Sequence, residues 1–272
     1  MLSDVLDNEQ IEALLNDVLE AHGYDFLEYA PASIKRRISR LYALDNFVSF
    51  AEFRYAIKSD KKYFKRFLEE ITVNVTEMFR DPSFYKSLRN DVLPVLGTYP
   101  FIRIWIAGCS TGEEAYSLAI VLKELNLLHK ALIYVTDISP SVLDKAKKGM
   151  FPLNYIKGYS ENYLQSGGTK EFSAYYTANY SLAKFDETLG EKMIFSTHNL
   201  VSDHSFNEFQ LILCRNVLIY FDKDLQHKVF NLFNNSIEKL GYLALGSKES
   251  LDFWPKAKEY RRIRTEKIWQ KL

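Results

Sequence analysis

RIWIAGCSTGEEAYSLA, residues 103–119, reads as a strand that runs into a small-residue turn and then into an acidic helix start. Ile104, Trp105 and Ile106 cluster ahead of Ala107 and Gly108, where a minimal side chain lets a ligand come close to the backbone. Gly112 permits a sharp bend, and Ser110 and Thr111 are candidate caps for the helix that follows. The apolar stripe of that helix continues through Tyr116, Leu118, Ala119, Val121, Leu122 and Leu125.

Glu113 and Glu114 fall in the first turn of this helix, where a phosphate binder would present bare amides and no negative charge. The two glycines are four residues apart, so the GxGxxG dinucleotide fingerprint is absent as well. A cofactor with a positive centre and no pyrophosphate suits the turn better, and S-adenosylmethionine is the common one. Further along, ALIYV (131–135) reads as a buried strand closing at Thr136 and Asp137 before the helix SVLDKAKKG. A carboxylate at the end of the second strand of such a unit accepts hydrogen bonds from ribose hydroxyls. Asp137 is the candidate, with a helix cap or an Asx turn as its competing role.

At 272 residues the chain is long enough for one large core and a smaller domain. Its formal net charge is zero, so no bulk attraction to nucleic acid or to a membrane surface is expected. Charge is nevertheless segregated: residues 1–30 carry eight acidic and no basic side chains, and residues 31–80 carry eleven basic against six acidic. An acidic first helix packed on a basic neighbour explains this, and a basic face for an acidic partner is the alternative. The start MLSDVLDNEQ lacks the basic and apolar runs of a secretion signal, and no stretch has the length of a transmembrane helix. Two cysteines, Cys109 and Cys214, cannot build a disulfide framework, so a cytoplasmic location is expected. Neither these cysteines nor the five histidines show metal-ligand spacing, and no metal is expected.

Residues 1–75 read as wholly helical, with stripes such as Ile11, Leu14, Leu15, Val18 and Leu19, then Ile34, Ile38 and Leu41. Lys35, Arg36, Arg37 and Arg40 crowd the polar side of the second helix, by default a solvated face. Asp81 followed by Pro82 signals a further helix start. From residue 103 onward strands and helices alternate, which predicts an α/β fold with a doubly wound, mostly parallel sheet. Strands are expected at 102–107, 131–136, 192–197, 209–214, 241–246 and 260–270, the last two pairing antiparallel at one edge. The glycine- and tyrosine-rich stretch of about 150–191 reads as a small β insertion, with a short helix near 160–165.

NVTEMFRDPSFY (74–85), STHNL (196–200) and FQLILCRNVLIYF (209–221), together with the turn and Asp137, complete a set of five motifs. In order and spacing these resemble the CheR-type chemotaxis receptor glutamate methyltransferases over nearly the whole chain. The resemblance implies an all-helical N-terminal domain (1–75) and an S-adenosylmethionine-dependent methyltransferase domain (76–272) built on a seven-stranded-type sheet. It implies S-adenosylmethionine as cofactor and S-adenosylhomocysteine as product. The substrate it implies is the cytoplasmic helical domain of a chemoreceptor, on which glutamates become methyl esters. No nucleic acid, no membrane insertion and a monomer are expected. Residue by residue, Asn74, Thr76 and Arg80 match the segment lining the cofactor and substrate pocket. Glu114 matches the glutamate facing the methionine portion, Asp137 the ribose binder, and Asn199 and Leu200 the residues beside adenine. Arg215, Asn216 and Tyr220 match the segment bordering methyl transfer, and Gly108 belongs to the cofactor turn. Met78 stands where the family has phenylalanine, and Gly246-Ser247-Lys248-Glu249 where many relatives have G-H-S-E.

The residue types suit the reaction. A glutamate carboxylate is already nucleophilic at neutral pH, so displacement at a sulfonium methyl needs positioning more than a strong base. Arg80 is suited to a forked pair with a carboxylate, and Tyr220 to orienting the attacking oxygen. The competing roles are a salt bridge of Arg80 to Asp81 or Glu77, and a core position for Tyr220. Two other functions fit the same cofactor turn: methylation of a different protein or small molecule, and a non-catalytic signalling scaffold.

Overall fold

A computed structural model describes residues 6–72 and 75–272. These divide into two compact units.

One unit holds the described residues up to Thr72 together with Leu218–Val229. Its first four helices are α1 (Asn8–His22), α2 (Pro31–Leu44), α3 (Phe50–Ser59) and α4 (Lys61–Ile71). Local chemistry sets their limits. Asp7 and Gln10 form a reciprocal capping box at the start of α1, and Gly23, at φ +74°, ends it. Ser49 and Asp60 cap α3 and α4, and Pro31 opens α2. The stripes meet in a core that includes Leu14, Val18, Ile38, Phe53, Ile57 and Phe67, each burial contributing roughly 1.5–3 kcal/mol. The segregated charge is largely internal to this unit, because Asp17 on α1 pairs with Arg54 and Lys58 of α3, and Arg40 of α2 with Glu70 of α4.

The other unit is a doubly wound α/β domain. It opens with α5 (Pro82–Ser87), a five-residue π-type turn and α6 (Leu93–Leu96). Then follow β1 (Ile102–Ala107), α7 (Glu113–Glu124), β2 (Ala131–Asp137) and α8 (Pro140–Lys148). The insertion comprises β3 (Met150–Pro152), α9 (Leu153–Gln165), β4 (Tyr176–Asn179) and β5 (Leu182–Phe185), its strands forming a separate sheet in the order β3-β5-β4. The chain continues through β6 (Met193–Thr197), β7 (Phe209–Cys214), α10 (Lys223–Ser236), whose residues up to Val229 are counted with the helical unit, β8 (Ile237–Leu245), β9 (Tyr260–Arg262) and β10 (Ile268–Lys271). The seven-stranded sheet has the order β6-β2-β1-β7-β8-β10-β9, parallel from β6 to β8 and antiparallel beyond.

Three elements differ from expectation. The helix of the insertion is thirteen residues long, its buried stripe of Ile156, Tyr159 and Tyr163 masked in sequence by Gly158 and polar neighbours. The last expected strand is a hairpin, broken where Arg264 adopts φ +49° and Ile263 donates its N–H to Ile268 O at 2.8 Å. β8 begins four residues early, with Leu240 at φ +67° and a register shift against β7. Among the described residues, no helix is long and apolar enough to cross a membrane.

Candidate active site

The switch point of the sheet lies between β1 and β7, where the chain leaves to wind in opposite directions, and ligands bind such sheets beyond the carboxyl ends of the strands there. Register aligns those ends. Ala107 of β1 is opposite Thr136, Asp137 of β2 opposite Thr197 of β6, and Ile106 opposite Leu213 of β7. One edge therefore carries, in order, the stretch around Asn199, then Asp137, then the 108–112 turn, then Arg215 and Asn216.

At the turn, Gly108 takes φ +78°, and both its N–H and that of Cys109 donate to Thr136 O at 2.9 Å. A Cβ on Gly108 would lie 2.5 Å from a Val217 methyl, so the glycine serves first to let the β1 and β7 turns pack together. Ser110 and Thr111 do not cap α7. Its N-cap is Gly112 with no side-chain bond, Ser110 adopts φ +51°, and Thr111 donates to the Glu113 carboxyl at 2.7 Å. Ser110 Oγ is buried without a hydrogen-bond partner among the described residues. Glu113 is buried, its other oxygen 3.4 Å from the Tyr159 hydroxyl on α9, and burial pushes its carboxyl up.

Asp137 is buried at the end of β2, where one oxygen accepts from Ser110 N at 2.9 Å and the other from Ser139 N at 3.0 Å. Burial raises its pKa, against the backbone N–H groups that favour the ionised form. The Asx turn is thus realised, and the same carboxyl ties the two turns together. Each oxygen retains a further lone pair for a ligand hydroxyl.

Arg215 is the buried cation of the site, its side chain 3% exposed. One guanidinium nitrogen donates to Glu114 at 2.8 Å, and another to Asp81 at 2.8 Å and to Arg80 O at 3.0 Å. The Phe84 ring lies 4.0 Å from the guanidinium carbon. Burial alone would push the group down, and Glu114 foremost among its neighbours more than offsets it. Asp81 therefore does not cap α5. At φ +56° and with no cap bond, it turns its carboxyl to Arg215. Arg80 is half-exposed and forms no ion pair among the described residues with Asp81 or Glu77; it donates to Val75 O at 3.5 Å. Thr76 is half-buried on the same segment, and Asn74 lies outside the described residues.

Asn216 adopts φ +61°, and its buried Oδ1 has no hydrogen-bond partner among the described residues. Its N–H donates to Glu249 at 2.9 Å, a residue to which the sequence assigned no role. Asn199 is half-buried and organises its own loop, accepting from Val201 N at 3.0 Å and donating its N–H to Asp203 at 2.8 Å; Leu200 beside it is half-buried. His198, in the loop after β6, is buried and lies edge-on to Trp105 at 5.1 Å. Tyr220 belongs to the helical unit, where its carbonyl accepts from Ala30 N at 2.8 Å and its ring lies 6.0 Å from the Arg37 guanidinium carbon. Cys109 and Cys214 are free and buried, and burial pushes both thiols up.

The edge accordingly combines three carboxyl groups, Glu113, Glu114 and Asp137, with two unpartnered buried oxygens, Ser110 Oγ and Asn216 Oδ1. That set is wrong for a polyphosphate and fits a hydroxyl-bearing ligand with a positive centre.

Comparison with known proteins agrees. Residues 74–267 match the family described as CheR methyltransferase, SAM binding domain, and residues 9–72 match CheR methyltransferase, all-alpha domain. A Pseudomonas putida chain named as a methyltransferase, Cher3, is 45% identical over 255 residues, covering 93% of each chain. The chemotaxis protein methyltransferase of Listeria monocytogenes is 30% identical over 231 residues, covering 84% of this chain and 85% of its own. That of Salmonella typhimurium is 30% identical over 222 residues, covering 79% and 74%.

Proposed function

This chain belongs to the CheR methyltransferase family, whose S-adenosylmethionine-binding and all-alpha domains it carries, and from that premise we propose that it esterifies glutamate side chains on the cytoplasmic helices of a chemoreceptor. The observation that carries the reading is the alignment of four strand ends, which brings Asn199, Asp137, Ser110 and Asn216 to one edge of the sheet. S-adenosylmethionine, when bound, supplies an electrophilic methyl on a sulfonium.

The residues of the chain bind and orient. Asp137 takes the ribose hydroxyls on the lone pairs left by Ser110 and Ser139. Asn199 and Leu200 flank the adenine, and Ser110 Oγ and Asn216 Oδ1 gain partners. Glu114, held by Arg215, places negative charge beside the cationic centre. Thr76 and Gly108 complete the cofactor wall. Arg80 is free of internal ion pairs among the described residues, so its guanidinium can hold the substrate or cofactor carboxylate. The nucleophile needs no strong base, because a glutamate is ionised at neutral pH.

Two measurements test this. Calorimetry should show S-adenosylhomocysteine binding that Asp137→Asn weakens by roughly tenfold or more, since the amide loses an acceptor oxygen at the ribose. Labelled methyl groups should pass to receptor cytoplasmic fragments and be released by mild base. A base-stable label, or labelling only of substrates other than receptor glutamates, overturns the substrate assignment.

A further inference from the structure

We infer that Glu249 is a positioning residue for methyl transfer, acting by fixing the backbone of Asn216; this rests on the reading of Asn216 as part of the cofactor wall. Glu249 closes the turn that follows β8, its N–H donating to Gly246 O at 2.9 Å. The side chain folds back under that turn and is buried. A single oxygen, Oε2, accepts from Gly246 N at 2.6 Å and from Asn216 N at 2.9 Å. One carboxyl group therefore ties together the carboxyl ends of the neighbouring strands β7 and β8.

The tie matters most at Asn216. Its φ of +61° is a left-handed conformation that asparagine tolerates without preferring, so an external hydrogen bond to its N–H favours the observed geometry. That geometry leaves Asn216 Oδ1 buried without a partner among the described residues, ready for a ligand donor. The same N–H belongs to the peptide joining Arg215 to Asn216, so Glu249 also helps aim the guanidinium set between Glu114 and Asp81. Gly246 makes the approach feasible: a Cβ there would lie 2.7 Å from Asn216 N and 2.8 Å from Glu249 Oε2. Productive sites need their groups held to fractions of an ångström, and here a buried carboxyl group provides the support behind a wall residue.

The test is a double-mutant cycle on S-adenosylhomocysteine affinity, measured by calorimetry well below the melting temperature for Glu249→Ala, Asn216→Gly and the double variant. Glycine keeps the N–H at 216 and enters the left-handed region unaided, so a residue that acts through this backbone loses its leverage there. The expected result is an affinity loss of about tenfold on Glu249→Ala in the native background and less than about twofold in the Asn216→Gly background. A like loss in both backgrounds, or a lowered melting temperature with unchanged affinity, overturns the inference. Should Glu249→Ala not fold, Glu249→Gln, which retains one acceptor oxygen, is measured in the same two backgrounds under the same criterion. Failure of the native protein to bind S-adenosylhomocysteine would instead overturn the underlying reading of the site.

Discussion

Glu113 and Glu114 are neighbours in sequence, yet the first turn of α7 sends them to opposite surroundings. Glu114 meets a guanidinium, whereas Glu113 is buried beside two hydroxyls, and burial lifts its pKa above the ordinary 4.5. The sign of the consequence follows from proton counting. Between the ordinary and the raised pKa the folded chain holds the proton more often than the unfolded one, so rising pH draws stability away over that interval. Urea unfolding of the native protein and Glu113→Gln, compared from about pH 4 to about pH 7, should show the native protein losing ground to the variant as pH rises, then a constant gap. A gap that does not change with pH would mean that Glu113 titrates normally. This single-residue contrast was only partly legible in sequence. Asp137 was readable because a strand end imposes its place, but which arginine would be buried was not, since Arg80 and Arg215 compete for Asp81 and the fold gives that carboxyl to Arg215. Glu249 was illegible for the same reason: its partners at Gly246 and Asn216 come from two strands that only the sheet brings together.

Elements bounded by apolar runs and turn residues were readable, as β1, β2 and β7 show, because a buried parallel strand needs continuous apolar sequence. The hairpin β9–β10 and helix α9 were not, since the first turns without glycine or proline and the second carries tyrosines where aliphatic residues are usual. The interior of α9 explains those tyrosines. Tyr163 donates to Glu124 of α7, Tyr175 adds a second hydroxyl at 2.9 Å, and Arg89 closes the group as an ion pair at 2.5 Å with both side chains nearly inaccessible. Asn162 further donates to Met78 O at 3.1 Å, so the insertion helix braces the segment that leads to Arg80. Removing one member of such a group leaves a buried charge without its partner. Arg89→Met should therefore cost about 3 kcal/mol in urea unfolding, and more than the same substitution at Arg66, whose pair with Asp45 is half-exposed. Equal losses at the two positions would show that burial of the Arg89 pair carries no special weight.

At the scale of the whole molecule, the sheet's winding order does what no single motif does: it gathers segments from residues 108, 137, 199 and 216 onto one edge, although more than a hundred residues separate the first from the last. A ligand that bridges those segments stabilises the folded chain by mass action, about 2.7 kcal/mol at a hundredfold excess over its dissociation constant. The gain should also be local, because each turn now moves freely only at the expense of a contact to the same bound molecule. Hydrogen exchange with and without S-adenosylhomocysteine should therefore slow in residues 107–115, 136–140, 197–201 and 214–217, four stretches remote in sequence. The hairpin of β4 and β5, whose tip residue Tyr180 is fully exposed, should exchange unchanged and serves as the internal control. Protection confined to one of the four stretches would mean the ligand does not span the switch point, and protection of the hairpin without the edge would place it elsewhere on the domain.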